Sequence, residues 1–192
     1  MARCAETEVE ADIFAEMLLS RFAEDRGDDR DGAPPADRYC NCFISYSSVD
    51  DEFASKLYDD LMNNGINCWK WDIDARIGQP LWAEITSAIH GNDKVLLIVS
   101  NASLRSPSVN REIERTLRLE DARMLRRNSG EFEGDVNVLF PVRLDDFVIT
   151  GWEHERRDDI VSKVIADASA WRSGSDAYQS VLDRIMRDLH ID

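Results

Sequence analysis

From residue 39 onward, the hydrophobic positions of the chain alternate between short apolar runs and helical spacing. Runs rich in β-branched and aromatic residues predict five strands, at 40–46, 66–71, 94–100, 137–144 and 163–170. The run at 94–100 is continuous rather than alternating, which is typical of a strand buried on both faces. We therefore expect this strand in the middle of the sheet.

Between these runs, apolar residues recur every three or four positions, as they do along one face of a helix. The spacing predicts helices near 50–63, 82–91, 109–127 and 178–189. Strand–helix alternation implies a parallel sheet with helices on both faces. We therefore predict an α/β, flavodoxin-like three-layer fold with a five-stranded parallel sheet of order 2-1-3-4-5.

This topology also predicts where a ligand binds. In open parallel sheets, ligands bind at the carboxyl ends of the strands where the strand order reverses, here between strands 1 and 3. The segments that reach this point are 45–50, 100–108 and the polar loop from Asp72 to Pro80. Small hydroxyls after strand 1 can donate to a phosphate or a ribose. Alternatively, Ser47 or Ser48 is only a helix cap.

Three classes of protein are excluded by the residues at this point. The chain has neither the Gly-x-Gly-x-x-Gly nor the Walker A pattern of glycines. A phosphorelay receiver would need an aspartate at the end of strand 3, but that strand ends in Ser100 and Asn101.

Residues 1–38 form a predicted N-terminal helical extension and linker, which leaves 39–192 as the main domain. Apolar residues spaced by four predict a helix at about 7–24, and glycines, prolines and charges at 27–35 predict a linker. This extension holds five basic and 11 acidic residues, a net charge of −6. It is either a solvated, fraying segment or a helix for docking or self-association.

The whole chain of 192 residues carries a formal net charge of −15. Such a surface repels phosphate backbones and anionic lipid, so we expect no nucleic-acid partner. The longest apolar run, 95–99, is far short of a membrane span, and the acidic start is unlike a signal peptide. Four cysteines and three histidines lack the spacings of metal sites. We therefore expect a cytoplasmic protein with no membrane partner and no metal.

Several segments resemble the motifs of the Toll/interleukin-1 receptor (TIR) domain. The stretch 42–47, Cys-Phe-Ile-Ser-Tyr-Ser, resembles the first motif, and 69–82 is similar to the BB loop. The strand at 95–100 with the Ser-Pro-Ser-Val-Asn-Arg-Glu sequence of 106–112 resembles the third motif, and 140–144 fits the fourth strand. The resemblance covers roughly 39–189 and is closest in appearance to bacterial TIR proteins of antiphage defence.

This resemblance implies an NAD+ glycohydrolase or ADP-ribosyl cyclase, in which NAD+ is the substrate and no other cofactor is needed. The essential glutamate of enzymatic TIR domains corresponds to Glu112. One carboxylate suffices, because nicotinamide leaves as a neutral molecule while positive charge develops on the ribose. Glu114 and Glu120 compete for this role, and a glutamate early in a helix can simply favour the helix dipole.

The resemblance also implies a substrate pocket lined by Phe43, Ser45, Ser47, Trp71 and Asp74. The aromatic residue that the family often has at the Ser108 position is missing, so Trp71 or Phe43 is the candidate for stacking on the substrate. The alternative for both aromatic residues is core packing. In the predicted second strand, Trp69 and Trp71 share one face.

The family resemblance further implies self-association through the BB loop, from Asp72 to Pro80, which helps to complete the site. A sensor or effector is expected on another chain. The alternative is a non-catalytic adaptor that mediates TIR–TIR interaction. The arginines of the helix at 109–127 are either a solvated face or a surface for an acidic partner.

Overall fold

A computed structural model describes residues 39–75, 85, 89 and 93–191, and its centre is a five-stranded sheet. The strands are β1 (Cys42–Ser45), β2 (Cys68–Trp69), β3 (Lys94–Val99), β4 (Leu139–Arg143) and β5 (Ala166–Asp167). All neighbouring pairs are parallel and the order is β2-β1-β3-β4-β5. The predicted fold class and strand order are confirmed. The predicted extension at 1–38 lies outside the described residues, so the domain boundary stays a prediction.

Helices connect these strands. They are α1 (Asp51–Asn63), α2 (Trp71–Asp74), α3 (Asn101–Arg105), α4 (Pro107–Asn128), α5 (Phe147–Thr150), α6 (Arg157–Val161) and α7 (Ser175–Leu189). Most of the helix predicted at 82–91 lies outside the described residues, but Ile85 and Ile89 are helical and buried. None of the helices in the described ranges is long and apolar enough to cross a membrane.

Local sequence explains where the helices at the carboxyl ends of the strands begin. Ser100 and Ser103 form a capping box at the start of α3. Ser106 caps α4, and Pro107 occupies its first turn, where a missing N–H costs nothing. At the other end of α1, Gly65 adopts a φ of +80°, a conformation that favours glycine.

The side chains of β1 alternate between two hydrophobic clusters, one on each face of the sheet. Cys42, Ile44 and Tyr46 pack with α1 and α7, whereas Phe43 packs with α4 on the opposite face. Ser45 therefore faces the α4 side, at the carboxyl end of its strand. Cys42 also lies opposite Cys68 of β2, with their sulfur atoms 2.8 Å apart.

The structure corrects the second predicted strand. Only Cys68–Trp69 pairs with β1, because the Lys70 carbonyl accepts the N–H groups of Ile73 and Asp74 and turns the chain into α2. Trp69 and Trp71 therefore do not share a strand face. The Trp69 ring lies 5.3 Å from that of Phe43, whereas Trp71 stacks on Tyr46.

The fifth predicted strand is also shorter than expected. The sequence predicts 163–170, but only Ala166 and Asp167 pair with β4. The first three residues of β4, Leu139–Pro141, consequently have no β5 residue beside them.

Leu96 tests the central position of β3, because its side chain is fully buried and its strand pairs on both sides. We expect Leu96→Ala to lower the free energy of unfolding by about 2–5 kcal/mol, since it leaves a cavity in the core. Urea unfolding measures this change. The control is Leu125→Ala, at a residue 71% exposed, which should change stability by less than about 0.5 kcal/mol. Equal effects of the two variants would contradict the burial of β3.

Candidate active site

A hydrogen bond joins two residues that the sequence analysis placed in one site. The hydroxyl of Ser45, at the end of β1, donates to Oε2 of Glu112 over 2.6 Å. Glu112 lies in the second turn of α4 and points toward the sheet, so it is only 6% exposed, and Ser45 is 1% exposed. The predicted catalytic residue and one predicted substrate-binding residue therefore meet at the point where the strand order reverses.

Burial changes the acidity of this carboxyl group. It raises the pKa of Glu112 to about 7, although the hydrogen bond from Ser45 and the charge of Arg115 act in the opposite direction. Near neutral pH, both the protonated acid and the carboxylate are therefore populated. A carboxyl group poised in this way in the fold's ligand-binding region is typical of a functional site.

The other two glutamates considered on α4 have different surroundings. Glu120 accepts the backbone N–H groups of Val138 and Leu139 at 2.6 and 2.8 Å, and it pairs with Lys163. It therefore holds the start of β4. Glu114 lies 3.9 Å from Arg118 and 4.0 Å from His154, and no hydrogen bond in the described residues joins it to β1. Of these three glutamates, Glu112 has the geometry of the predicted catalytic residue.

Three residues flank this pair closely in the sequence. Phe43 shares the face of β1 that carries Ser45, but it is 1% exposed and packs in the core against Trp69. Ser47 accepts the N–H of Val49 and caps a short 3-10 helix, Ser48–Asp50, as the alternative interpretation predicted. Ser108 lies one turn before Glu112 in α4, so an aromatic residue there would be its neighbour.

Trp71 and Asp74 are not brought to Glu112 by any contact among the described residues. Trp71 is 37% exposed, and its ring stacks on Tyr46, whose side chain packs on the α1 and α7 face. The carboxylate of Asp74 accepts the backbone N–H of Lys70 over 2.6 Å. Both residues lie on the β2 side of β1, at the edge of the sheet where the carboxyl ends of the strands meet, which we call the carboxyl edge.

Sequence reasoning missed a buried cation at this edge. The side chain of Lys70 is fully buried, and its Nζ lies 2.8 Å from Asp51 and 2.6 Å from Asp72. The hydroxyl of Tyr46 also donates to Asp72. Burial acts to raise the pKa of Asp72, but hydrogen bonds from Lys70 and Tyr46 lower it overall. This network fixes the start of the segment from Asp72 to Pro80, and a lysine between two tryptophans was its only signal in the sequence.

A second unpredicted contact joins the loops after β1 and β3. The hydroxyl of Ser100 donates to Asp50 over 2.6 Å, and burial raises the pKa of that carboxyl. Among the residues that the structure describes, no three side chains of histidine, cysteine, aspartate or glutamate are grouped as a metal site.

Comparison with known proteins identifies the class to which this chain belongs. A family model described as the TIR domain matches residues 42–182, so the chain belongs to the TIR domain family. No curated protein matches the chain significantly.

Solved structures show the same fold at low sequence identity. The TIR domain of the Toll-related receptor TRR-2 from Hydra magnipapillata is 15% identical over 79% of this chain and 98% of that one, with a TM-score of 0.54. The TIR domains of the Roq1 resistosome, which recognises the effector XopQ, are 16% identical over 79% and 99%, with a TM-score of 0.50. A TIR-STING receptor from C. gigas, in complex with 2',3'-cGAMP, is 22% identical over 78% of this chain and 41% of that one, with a TM-score of 0.51.

The raised pKa of Glu112 predicts a specific dependence of stability on pH. The carboxyl group binds its proton more tightly when folded, with a pKa of about 7 against an ordinary value of 4.5. The protonated Glu112 carboxyl group therefore contributes fully to the free energy of unfolding below pH 4.5, and this contribution is lost as the pH rises to about 7. Between pH 4.5 and 7, the free energy of unfolding of wild type should fall by about 1.4 kcal/mol per pH unit relative to that of Glu112→Gln. Urea unfolding of both proteins from pH 4 to 8 measures this difference.

Ser45→Ala provides the control for the hydrogen bond. Since the Ser45 hydroxyl lowers the pKa of Glu112, its removal should extend the loss of stability to higher pH. A constant difference between wild type and Glu112→Gln across the range would contradict the buried, weakly acidic carboxyl group.

Proposed function

We propose that this TIR domain cleaves the bond between nicotinamide and ribose in NAD+, with Glu112 as its catalytic residue. The observation that carries the proposal is the buried Glu112 carboxyl group, bonded to Ser45 where the strand order reverses. Family resemblance supports the choice of substrate, because enzymatic TIR domains carry their essential glutamate on the helix after strand 3.

The chemistry requires little of the protein beyond a placed negative charge. When the glycosidic bond breaks, its electron pair neutralises the nicotinamide nitrogen, and positive charge develops on the ribose. The Glu112 carboxylate stabilises that charge or holds the ribose hydroxyls, and the nearly dry surroundings strengthen the interaction. Water then adds to the ribose carbon and releases a proton, which gives ADP-ribose. In a cyclase, a nucleophile of the same nucleotide takes the place of water.

The Ser45 hydroxyl orients the Glu112 carboxyl group in this proposal. Because both protonation states of Glu112 are populated near pH 7, binding of a cationic nicotinamide ribosyl group favours the carboxylate. Trp71, on the opposite side of β1, supplies an exposed ring at the same edge of the sheet. Self-association through the segment from Asp72 to Pro80 and a role in antiphage defence inside the cell belong to the same proposal. Both rest on the family resemblance.

The alternative function is a non-catalytic TIR adaptor, and one observation favours it. The Glu112 carboxyl group already has a hydrogen-bond partner and is nearly closed to solvent, as a purely structural residue would be. Exposed apolar side chains at the same edge, Val49 and Ile73, suit a surface that binds another protein.

Nicotinamide release separates the two functions. Concentrated protein, under crowded conditions that favour self-association, should release nicotinamide from NAD+. Glu112→Gln should lower the rate about 100-fold or more, because it removes the charge that stabilises the transition state. Chromatography of the products measures the rate and distinguishes ADP-ribose from a cyclic product.

Glu114→Gln is the matched control, since this residue lies on the same helix and outside the Ser45 contact. It should retain the wild-type rate. No release by wild type under any of these conditions would favour the adaptor, and an unchanged rate in Glu112→Gln would reject the residue assignment.

A further inference from the structure

A cavity of about 630 Å³ opens at the β5 edge of the sheet, and neither Ser45 nor Glu112 lines it. We call it the edge slot. It lies between α4 and α7, beside the first residues of β4, and the residues that line it include Leu139, Phe140, Pro141, Val164, Arg184 and Ile185. The slot exists because β5 is only two residues long, so no strand pairs with the first three residues of β4.

The backbone of β4 is unsuited to pairing with a peptide strand bound in the edge slot. The carbonyl of Arg143 accepts the backbone N–H of Ala168 on the β5 side. The backbone groups of the alternate residues Leu139 and Pro141 therefore point toward the same side. The N–H of Leu139 is already bonded to Glu120, and proline has none. An incoming peptide strand would find no free N–H at these two positions and could not build a regular ladder. This observation argues against a peptide and favours a small molecule.

Among the basic residues that line the edge slot, Arg184 has no carboxylate partner in the described part of the chain. Each carboxylate that lines the slot has a basic partner, and two of them share one: Glu120 with Lys163, Asp121 and Asp159 with Arg156, Asp135 with Lys94, and Asp188 with Arg187. Arg184 is half-buried and forms no hydrogen bond or ion pair with the described part of the chain. A guanidinium group in such a place favours an anionic group on the ligand.

We propose that the edge slot binds a small amphipathic anion, with an apolar body and one acidic group. The apolar body packs against Phe140, Pro141 and Ile185, and the acidic group pairs with Arg184. Val164 is 78% exposed at this site and contributes further apolar surface. The volume falls within the range of about 300–1,000 Å³ that small-molecule sites occupy. This site is separate from Glu112 and does not depend on NAD+ cleavage.

Binding of 8-anilinonaphthalene-1-sulfonate, an aromatic sulfonate, tests the proposal on the full chain. Its fluorescence titration should saturate at one site, and amide NMR shifts should change at Leu139, Phe140, Val164 and Ile185. Arg184→Gln should weaken binding about tenfold, since it removes a charge-assisted contact. N-phenyl-1-naphthylamine, which has similar rings without the sulfonate, should bind both proteins equally.

Two further variants make the test specific. Arg118→Gln removes an exposed arginine that does not line the edge slot, so it should leave the affinity unchanged. Val164→Glu adds a negative charge at an exposed position and should weaken binding without disturbing the fold. Three results would overturn the proposal: no saturable binding, equal affinity of wild type and Arg184→Gln, or shift changes near Val49 and Trp71 instead of the edge slot.

Discussion

The hydrogen bond between Ser45 and Glu112 is the contact around which the carboxyl edge of this sheet is organised. It places a carboxyl group among apolar residues, where the charged form lacks the solvation that water would give it. One hydroxyl and the charge of Arg115 compensate only part of this loss, so the pKa of Glu112 rises to about 7. The contact exists because two separate patterns agree: strand alternation turns Ser45 toward α4, and the Ser106 cap starts α4 so that Glu112 faces β1. A carboxyl group held at such a cost to stability is typical of sites selected for function.

Three other polar contacts hold the loops around this pair. Lys70 joins the start of α1 to the start of α2 through Asp51 and Asp72, and Ser100 joins the end of β3 to Asp50. Loops at a ligand site otherwise belong to the least stable parts of a fold. These partly buried contacts give the carboxyl edge a defined shape before any ligand binds, and preorganisation of this kind is what the proposed electrostatic catalysis requires.

Periodic patterns in the sequence predicted the sheet and the edge at which Ser45 lies, whereas Glu112 was identified through the resemblance to TIR domains. The continuous apolar run of β3 and the strand–helix alternation favour the observed order of the strands, and that order places Ser45 near the helix after β3. The features that the sequence did not predict depend on competition between local and long-range contacts. Trp71 has a strand-like sequence, but hydrogen bonds to the Lys70 carbonyl turn it into a helix. The length of β5 is set by its pairing with β4, and Asp51, one of the two partners of Lys70, is distant in the chain, so neither feature had a local signal.

The central claim is that the Glu112 carboxylate meets the cationic end of NAD+. Carbon-13 NMR of the Glu112 carboxyl group, titrated with and without a non-hydrolysable NAD+ analogue that keeps the positive nicotinamide ring, tests it most directly. We expect a midpoint near pH 7 in the free protein, and a lower midpoint in the complex because a nearby cation favours the carboxylate. A midpoint that does not move when the analogue is bound would contradict the account.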